Sequence, residues 1–352
     1  MIIRTDDGVV TPAMIRYARD YEGESKRMRT LKAAAMLAVG VMISLLAAQN
    51  SATADGSTPV VWGASVQANT GETLTAAKTR YETAVGRRLG ATRDFLLWDS
   101  AFPTTYETGM KNAGTIVMLS VATKTKAGAL IPWAAIATAQ PGDAVYTVMK
   151  SWADRIRDFA VPMYVTLQHE PEAANKANGT QAEYIAAWQS WVTLLRSEGA
   201  TNVKNTWITT AFAYTVATTD RRYAPGWYPG DAYVDAIGVD AYNWFSCRLS
   251  TPNTPWHSLQ QLIEPMRQFT LLHPAAEPWV TEFASVEDPA NAARRPQWIA
   301  DAQALFHAPD FAPFRGLLYY EQKRTCDWRV ANNTPDSLAA MATMGADPYF
   351  AG

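Results

Sequence analysis

The chain has 352 residues, and 48% of them are hydrophobic, which is enough to bury the core of one α/β barrel of typically about 250 residues. The formal net charge is -2 and the pI is about 6.1, so neither nucleic acid nor an anionic membrane is indicated as a partner. The 13 Trp and 15 Tyr weakly favour a carbohydrate ligand, because the apolar face of a pyranose stacks on an aromatic ring.

The N-terminal segment has the order of a secretory signal peptide. A basic stretch over 26–32, within which Met28 could be the true start, precedes an apolar run over 33–48, and a small-residue cleavage site follows at Ala54. The alternative is an uncleaved membrane anchor, but the run is short for a span of about 20 residues. We expect a leader over 1–54, a mature domain over 55–352, secretion to the medium, and no stable membrane association after cleavage.

Strand-like and helix-like segments alternate along the rest of the chain. Apolar, β-branched runs predict strands over 60–66, 92–98, 115–121, 163–168, 205–211, 236–242, 279–283 and 316–320. Apolar residues at helical spacing predict helices over 74–89, 143–159, 181–198, 259–273 and 295–306. Alternation indicates a parallel sheet, and eight repeats indicate that it closes. The predicted fold is α/β, a single (β/α)8 TIM barrel.

Two of the predicted strands lead to a glutamate. The fourth ends at His169-Glu170, and the seventh contains Glu282. Strands four and seven face each other across the mouth of a closed barrel, where the active sites of this fold lie. A retaining glycosidase needs two carboxyls about 5–5.5 Å apart, one as acid/base and one as nucleophile. We therefore predict Glu170 and Glu282 as catalytic residues, although either one alone would pass for an ordinary strand-end glutamate.

Other side chains at strand ends are candidates for substrate binding. They are His169, Tyr242, Trp98, Trp244, Arg93 and Tyr320. His169 either donates a hydrogen bond to the substrate or the nucleophile, or is a packed residue that orients strand four. Arg93 either orients a carboxylate from within the barrel or forms a structural ion pair. Each aromatic residue could equally belong to the core, and Trp98 and Trp244 are the stronger cleft candidates.

The sequence offers little support for other chemistries. His169-Glu170 does not begin a zinc-protease motif, because residue 173 is Ala where a second His would be required. The four histidines are scattered, and no P-loop, dinucleotide fingerprint or G-x-S-x-G motif occurs. We therefore expect neither a metal nor a cofactor.

The chain contains two cysteines, Cys247 and Cys326. An even number in an exported protein suggests a disulfide, and both residues follow predicted strands at the same face of the barrel. The alternative is a pair of unrelated buried thiols.

With these residues in place, the sequence resembles the glycoside hydrolases that carry their two glutamates on strands four and seven. The pair His169-Glu170 is similar to family 26, the β-mannanase family, over roughly residues 60–352. The resemblance includes segment 237–243, and segments 326–328 and 344–350 are similar to secreted actinobacterial members. The resemblance implies that Glu170 is the acid/base, that Glu282 is the nucleophile and that Tyr242 hydrogen-bonds Glu282.

The chain departs from well-known mannanases near the fourth strand. Thr166 stands where they carry an arginine, and segment 171–176 replaces a Trp-rich one. The expected function is a retaining endo-β-glycosidase acting on a β-linked polysaccharide, with β-1,4-mannan first. Xylan, mixed-linkage glucan or a bacterial surface polysaccharide remain alternative substrates, and a non-catalytic carbohydrate-binding barrel is the alternative class. We expect a monomer.

Overall fold

A computed structural model describes residues 59–247, 254–331 and 334–351, so the predicted leader lies outside the described residues. Eight parallel strands form a closed barrel, since β1 pairs with both β2 and β8. The strands are β1 Val60–Val66, β2 Ala91–Leu97, β3 Ile116–Ala122, β4 Met163–Leu167, β5 Val203–Thr210, β6 Ala236–Asn243, β7 Glu277–Ser285 and β8 Gly316–Glu321. The predicted (β/α)8 fold is confirmed. A short β9, Phe350–Ala351, also pairs with β1 and was not predicted.

Helices occupy the connections between the strands. They are α1 Leu74–Val85, α2 Thr105–Ala113, α3 Trp133–Ala137, α4 Ala144–Phe159, α5 Gln181–Ser197, α6 Leu259–Thr270, α7 Arg294–Phe306 and α8 Pro335–Ala346. Helices α2, α3 and α8 were not predicted from the sequence. Helix α2 is only 9 residues long, and a capping box of Thr104 and Glu107 begins it. No helix in the described ranges is long and apolar enough to cross a membrane.

The barrel interior begins with an apolar layer at the amino ends of the strands. One residue comes from each strand: Val61, Ala91, Met118, Tyr164, Ile208, Ala236, Trp279 and Leu318. The rings of Tyr164 and Trp279 lie edge to face at 4.7 Å and fill the centre. Gly316 leaves room for the Trp279 ring, which a Cβ atom at this position would overlap. The polar side chains of the barrel interior lie above this apolar layer, toward the carboxyl ends of the strands.

Most tryptophans fill the core of the protein. Ten of them outside the inner layer are almost completely buried: Trp62, Trp98, Trp133, Trp152, Trp188, Trp191, Trp207, Trp227, Trp298 and Trp328. A buried aromatic side chain removes a large apolar area from water. Most of the tryptophans therefore pack the core of the barrel, although their number weakly favours a carbohydrate ligand.

Strand β7 contains an extra residue next to Glu282. Its register with β6 moves from Val239↔Val280 directly to Asp240↔Glu282, so Thr281 has no partner, and the register with β8 shifts at the same place. A β-bulge of this kind changes the side to which the following side chains point. It brings Glu282 to the mouth of the barrel.

Candidate active site

A cleft of about 760 Å³ opens at the carboxyl ends of the strands. Four carboxyl groups line it: Glu170, Glu172, Asp240 and Glu282. Six aromatic rings also line it: Phe95, Phe212, Tyr242, Trp244, Tyr320 and Trp328. A concave site with aromatic walls and a few convergent carboxyls suits a sugar chain, which offers both apolar ring faces and hydroxyl groups.

Glu170 lies just beyond the end of β4. Its backbone N–H donates to the carbonyl oxygen of Ile208 at 2.9 Å, so the segment stays attached to β5. The φ angles of Gln168 and Glu170 are 53° and 48°, a left-handed conformation that side chains other than glycine rarely adopt. The Gln168 side chain accepts hydrogen bonds from Thr123, which help to hold this turn. Backbone strain of this kind is concentrated at functional sites.

Glu282 lies in β7 directly after the bulge and is 5% exposed. Nη1 of Arg93 lies 2.7 Å from its Oε1 atom. The hydroxyl of Tyr242 donates a hydrogen bond to its Oε2 atom, the partnership that the resemblance implies. Each carboxylate oxygen therefore has a partner that stabilises negative charge.

Arg93 is completely enclosed beneath the cleft and does not line it. Its Nη1 atom also lies 2.7 Å from Oδ1 of Asp240, and its Nε atom donates to Ser120 at 3.2 Å. The hydroxyl of Thr281 donates to Asp240 as well, at 2.6 Å. Arg93, predicted among the substrate-binding residues, therefore contacts carboxylates from within the barrel, which is the first of the two roles that the sequence allows.

The two glutamates differ in their electrostatic surroundings. Burial raises the pKa of Glu170 well above its usual range, and the charges of Asp240 and Glu282 raise it further. Burial and Asp240 raise the pKa of Glu282 to about 8, while Arg93 and Tyr242 act in the opposite direction. In the described part of the chain, the Glu170 carboxyl has no counterpart of these two donors. A shared proton therefore belongs on Glu170, and the negative charge on Glu282.

His169, Tyr320 and Trp244, predicted as substrate-binding residues, line the cleft. The His169 ring packs against Phe95 at 5.3 Å. Burial and the nearby Arg93 charge lower the pKa of His169 to about 3, so the imidazole is neutral and can donate a single hydrogen bond. The ring of Tyr320 packs edge-on against Tyr242 at 5.5 Å.

Trp98 does not line the cleft, and the prediction that it does is wrong. The side chain is 3% exposed and packs against Trp191 of α5, with ring centroids 6.1 Å apart. Its carbonyl oxygen accepts a hydrogen bond from the Trp152 indole at 2.9 Å. One residue past β2, the side chain faces the helices, and Phe95 of the same strand occupies the cleft instead.

The structure adds residues that the sequence analysis did not assign to the site. Asp240 precedes Tyr242 by two positions in β6, so the two side chains share a face of the strand. Glu172 is 2% exposed, and its Oε1 atom accepts a hydrogen bond from the Thr210 N–H at 2.7 Å. Strand periodicity could have revealed Asp240, whereas Glu172 depends on how β4 and β5 end together.

A disulfide joins Cys247 and Cys326, with Cα atoms 6.0 Å apart. It links the connection after β6 to the connection after β8, as predicted. Trp328 follows two residues later, and its ring packs against Tyr242 at 4.8 Å and against Trp244 at 5.0 Å. The disulfide therefore fixes one aromatic wall of the cleft.

The four carboxyls are not arranged as a metal site. Within the described ranges, no group of three or more His, Cys, Asp or Glu side chains could hold a metal ion. Two of the carboxyls, those of Asp240 and Glu282, instead contact the guanidinium of Arg93. Its positive charge offsets part of the negative charge of the cluster.

Comparison with known proteins relates the chain to glycoside hydrolases. Residues 144–276 match the family model described as Glycosyl hydrolase family 26. The chain is 27% identical over 272 residues to Endoglucanase H of Acetivibrio thermocellus, which covers 74% of this chain and 28% of that relative. The chain thus spans little more than a quarter of the length of this curated relative.

Solved structures of family 26 share the fold. A GH26 β-mannanase from Bacteroides ovatus superimposes with a TM-score of 0.56 at 16% identity, covering 83% of this chain and 90% of that one. GH26C from Muricauda gives a TM-score of 0.59 at 14% identity, with coverage of 83% and 87%. A modular endo-β-1,4-mannanase from Cellulomonas fimi gives 0.57 at 16% identity, with coverage of 83% and 72%. The chain is thus similar to glycosyl hydrolase family 26 over residues 144–276, and it shares the barrel fold of solved structures from that family.

Proposed function

We propose that the chain is a retaining endo-β-glycanase, with Glu282 as nucleophile and Glu170 as acid/base. The observation that carries the proposal is the contrast between two buried carboxyls in one cleft. Arg93 and Tyr242 stabilise the charge of Glu282, while burial and neighbouring negative charges keep the proton on Glu170. A retaining glycosidase requires this division of protonation between its two carboxyls.

In the first step, the Glu282 carboxylate attacks the anomeric carbon and forms a glycosyl ester, while the bond to the glycosidic oxygen breaks. Glu170 gives its proton to that oxygen, so the leaving sugar departs as an alcohol. As the ester forms, negative charge leaves Glu282, and the Glu170 proton has moved to the product.

In the second step, the ionised Glu170 takes a proton from water, and the oxygen of that water attacks the anomeric carbon. The bond to Glu282 breaks, and its carboxylate returns to the contacts of Arg93 and Tyr242. Two inversions at one carbon give net retention of configuration.

The substrate we propose first is β-1,4-mannan. The support is that the superimposable structures from Bacteroides ovatus and Cellulomonas fimi are described as β-mannanases. A β-linked glucan is the second candidate, because the curated relative is named an endoglucanase. Xylan and bacterial surface polysaccharides are further members of the test panel, since segment 171–176 differs from that of well-known mannanases.

The test is to incubate the domain over 55–352 with this panel of polysaccharides and to identify the reducing sugars that are released. The proton spectrum of the first-formed product should show the β-anomer before mutarotation. A Glu282→Ala preparation, purified in the same way, controls for contaminating hydrolases. An inverted product would contradict the assignment of Glu282 as nucleophile, and tight binding without hydrolysis would favour a carbohydrate-binding barrel.

We also propose that the protein is secreted as a monomer after cleavage at Ala54. The support is the order of basic, apolar and small residues before Asp55, together with the disulfide between Cys247 and Cys326. N-terminal sequencing of protein from the culture medium should begin at Asp55, and sedimentation should give one chain per particle. Recovery only from washed membranes with residues 33–48 attached would refute it.

A further inference from the structure

Phe212 is a large apolar side chain that the barrel leaves unburied. It is 51% exposed, whereas most aromatic side chains of the described ranges are buried. The residue lies in the short 3-10 helix Ala211–Tyr214, which directly follows β5, and its side chain lines the cleft. An exposed phenylalanine in a cleft that already contains two candidate catalytic carboxyls offers an apolar face to a ligand.

The Phe212 ring packs against a charged side chain that is itself held by an ion pair. The guanidinium of Arg222 lies over the ring at 5.0 Å from its centroid. Arg222 is in turn held by both oxygens of Asp220, with Nη2 at 2.7 Å and Nε at 3.0 Å. On the backbone side, Thr215 donates to the Phe212 carbonyl oxygen at 3.0 Å. A ring oriented in advance loses less side-chain entropy when a ligand stacks on it.

Hydrogen bonds connect the segment that carries Phe212 to the segment that carries the proposed acid. The N–H of Glu170 donates to Ile208 of β5 at 2.9 Å, and Glu172 accepts from the N–H of Thr210 at 2.7 Å. Phe212 follows Thr210 by two residues. The position of the ring relative to the Glu170 carboxyl is therefore set by the pairing of β4 with β5.

The aromatic rings of the cleft fall into two groups. Tyr242, Trp244, Tyr320 and Trp328 come from β6, β8 and their connections, on the side of Glu282. On the side of Glu170, segment 171–178 contains no aromatic residue. Phe95 of β2 contacts both His169, at 5.3 Å, and Tyr320, at 6.5 Å, and so lies between the two groups. Phe212, which follows β5, adds an exposed aromatic surface on the side of Glu170, and the acid must face the part of the substrate that leaves.

We propose that Phe212 forms a stacking platform for a pyranose ring on the leaving-group side of the cleavage point, with Arg222 and Asp220 holding the ring in place. This inference rests on the proposed function. It makes Phe212 a specificity-determining residue for polymeric substrates, because only a substrate that continues past the cleaved bond reaches it. It also makes Phe212 part of the site that binds an acceptor sugar during glycosyl transfer.

The test compares two substrates of the same enzyme. One is the polysaccharide that the wild type hydrolyses, and the other is the dinitrophenyl glycoside of the disaccharide that it releases. Phe212→Ala should lower kcat/KM on the polysaccharide roughly tenfold. It should leave kcat/KM on the aryl glycoside within a factor of two, since the aryl group neither needs protonation nor extends to Phe212. Transfer to an added oligosaccharide should fall relative to hydrolysis.

Two control variants make the result specific. Leu271→Ala removes a side chain that is 57% exposed and does not line the cleft, so kcat/KM should stay unchanged on both substrates. Phe212→Trp keeps an aromatic face and should retain most of the activity on the polysaccharide. An unchanged kcat/KM of Phe212→Ala on the polysaccharide, or an equal loss on both substrates, would overturn the inference. If the wild type itself hydrolyses no polysaccharide, the proposed function fails instead.

Discussion

Arg93 and Glu282 form a buried ion pair inside the barrel, with Nη1 and Oε1 2.7 Å apart, although 189 positions separate them in the chain. The same nitrogen lies 2.7 Å from Oδ1 of Asp240. One guanidinium thus serves two carboxylates, one of them the proposed nucleophile. Breaking a buried ion pair from one side leaves an uncompensated charge, which costs about 3–5 kcal/mol. Stability and reactivity therefore depend on the same side chain.

Arg93→Lys should move the acidic limb of the kcat/KM profile to higher pH. The guanidinium lowers the pKa of Glu282. The shorter side chain of lysine does not extend to the position of Nη1 between the two carboxylates, so the pKa should rise. The profile of kcat/KM against pH on an aryl glycoside measures this shift, and a urea titration monitors folding. A reduced rate with an unmoved acidic limb would show that Arg93 has only a structural role.

Glu282→Ala and Glu170→Ala should lose activity in two different ways. Without Glu282 no glycosyl ester forms, so the activity on every substrate should be lost. Without Glu170 a dinitrophenyl glycoside still glycosylates Glu282, and added azide replaces the activated water. Azide should therefore accelerate Glu170→Ala and yield the β-glycosyl azide, which the proton spectrum identifies. Glu287→Ala, at a side chain that is 50% exposed, is the matched control. Near-normal activity of Glu282→Ala would contradict the assignment.

Glu172→Gln should move the alkaline limb of the pH profile to lower pH. Burial raises the pKa of Glu172 to about 7, so its charge is present above that pH and raises the pKa of Glu170. Glutamine removes the charge but keeps an oxygen that can accept from the Thr210 N–H. Glu287→Gln should leave the alkaline limb in place. An alkaline limb that is the same in Glu172→Gln and the wild type would mean that Glu172 does not influence the acid.

Reduction of the disulfide should weaken both the fold and substrate binding. Cys247 and Cys326 are 79 positions apart, and closing a loop of that length stabilises the native state by roughly 4 kcal/mol in the chain-entropy model. KM for the polysaccharide should rise, because Trp328 loses its anchor. Dithiothreitol should lower the urea midpoint of the wild type and leave that of a double Cys→Ser variant unchanged, since the chain has no other cysteine. An equal response of both proteins would contradict this account.

The sequence was sufficient to predict the barrel because buried parallel strands are continuous apolar runs. Strand β1 has the predicted bounds 60–66, and β4 ends one residue earlier than predicted. The predicted strands β4 and β7 also indicated the two glutamates, Glu170 and Glu282. The short β9 was missed because two residues carry no periodic pattern, and its pairing with β1 depends on the closed barrel.

Long-range packing determines the features that the sequence analysis missed. Arg93 and Asp240 are 147 positions apart, and nothing local shows that they meet. Trp98 ends a predicted strand beside polar residues, as a cleft residue would, but the turn after β2 directs it toward Trp191. Only the pairing of β4 with β5 places Glu172 against Thr210.

The β-bulge at Thr281 is needed to place Glu282 in the site, so transferring the same residues without the bulge would not reproduce it. In β7, Trp279 faces the barrel interior, so strict alternation would place Glu282 on the outer side and Phe283 inside. In the protein, Phe283 instead packs against Trp298 of α7. A transplanted strand with the same residues but regular pairing would send the glutamate among the apolar side chains of the helices. A designer who grafts this chemistry onto another barrel must transfer the insertion as well as the carboxyl group.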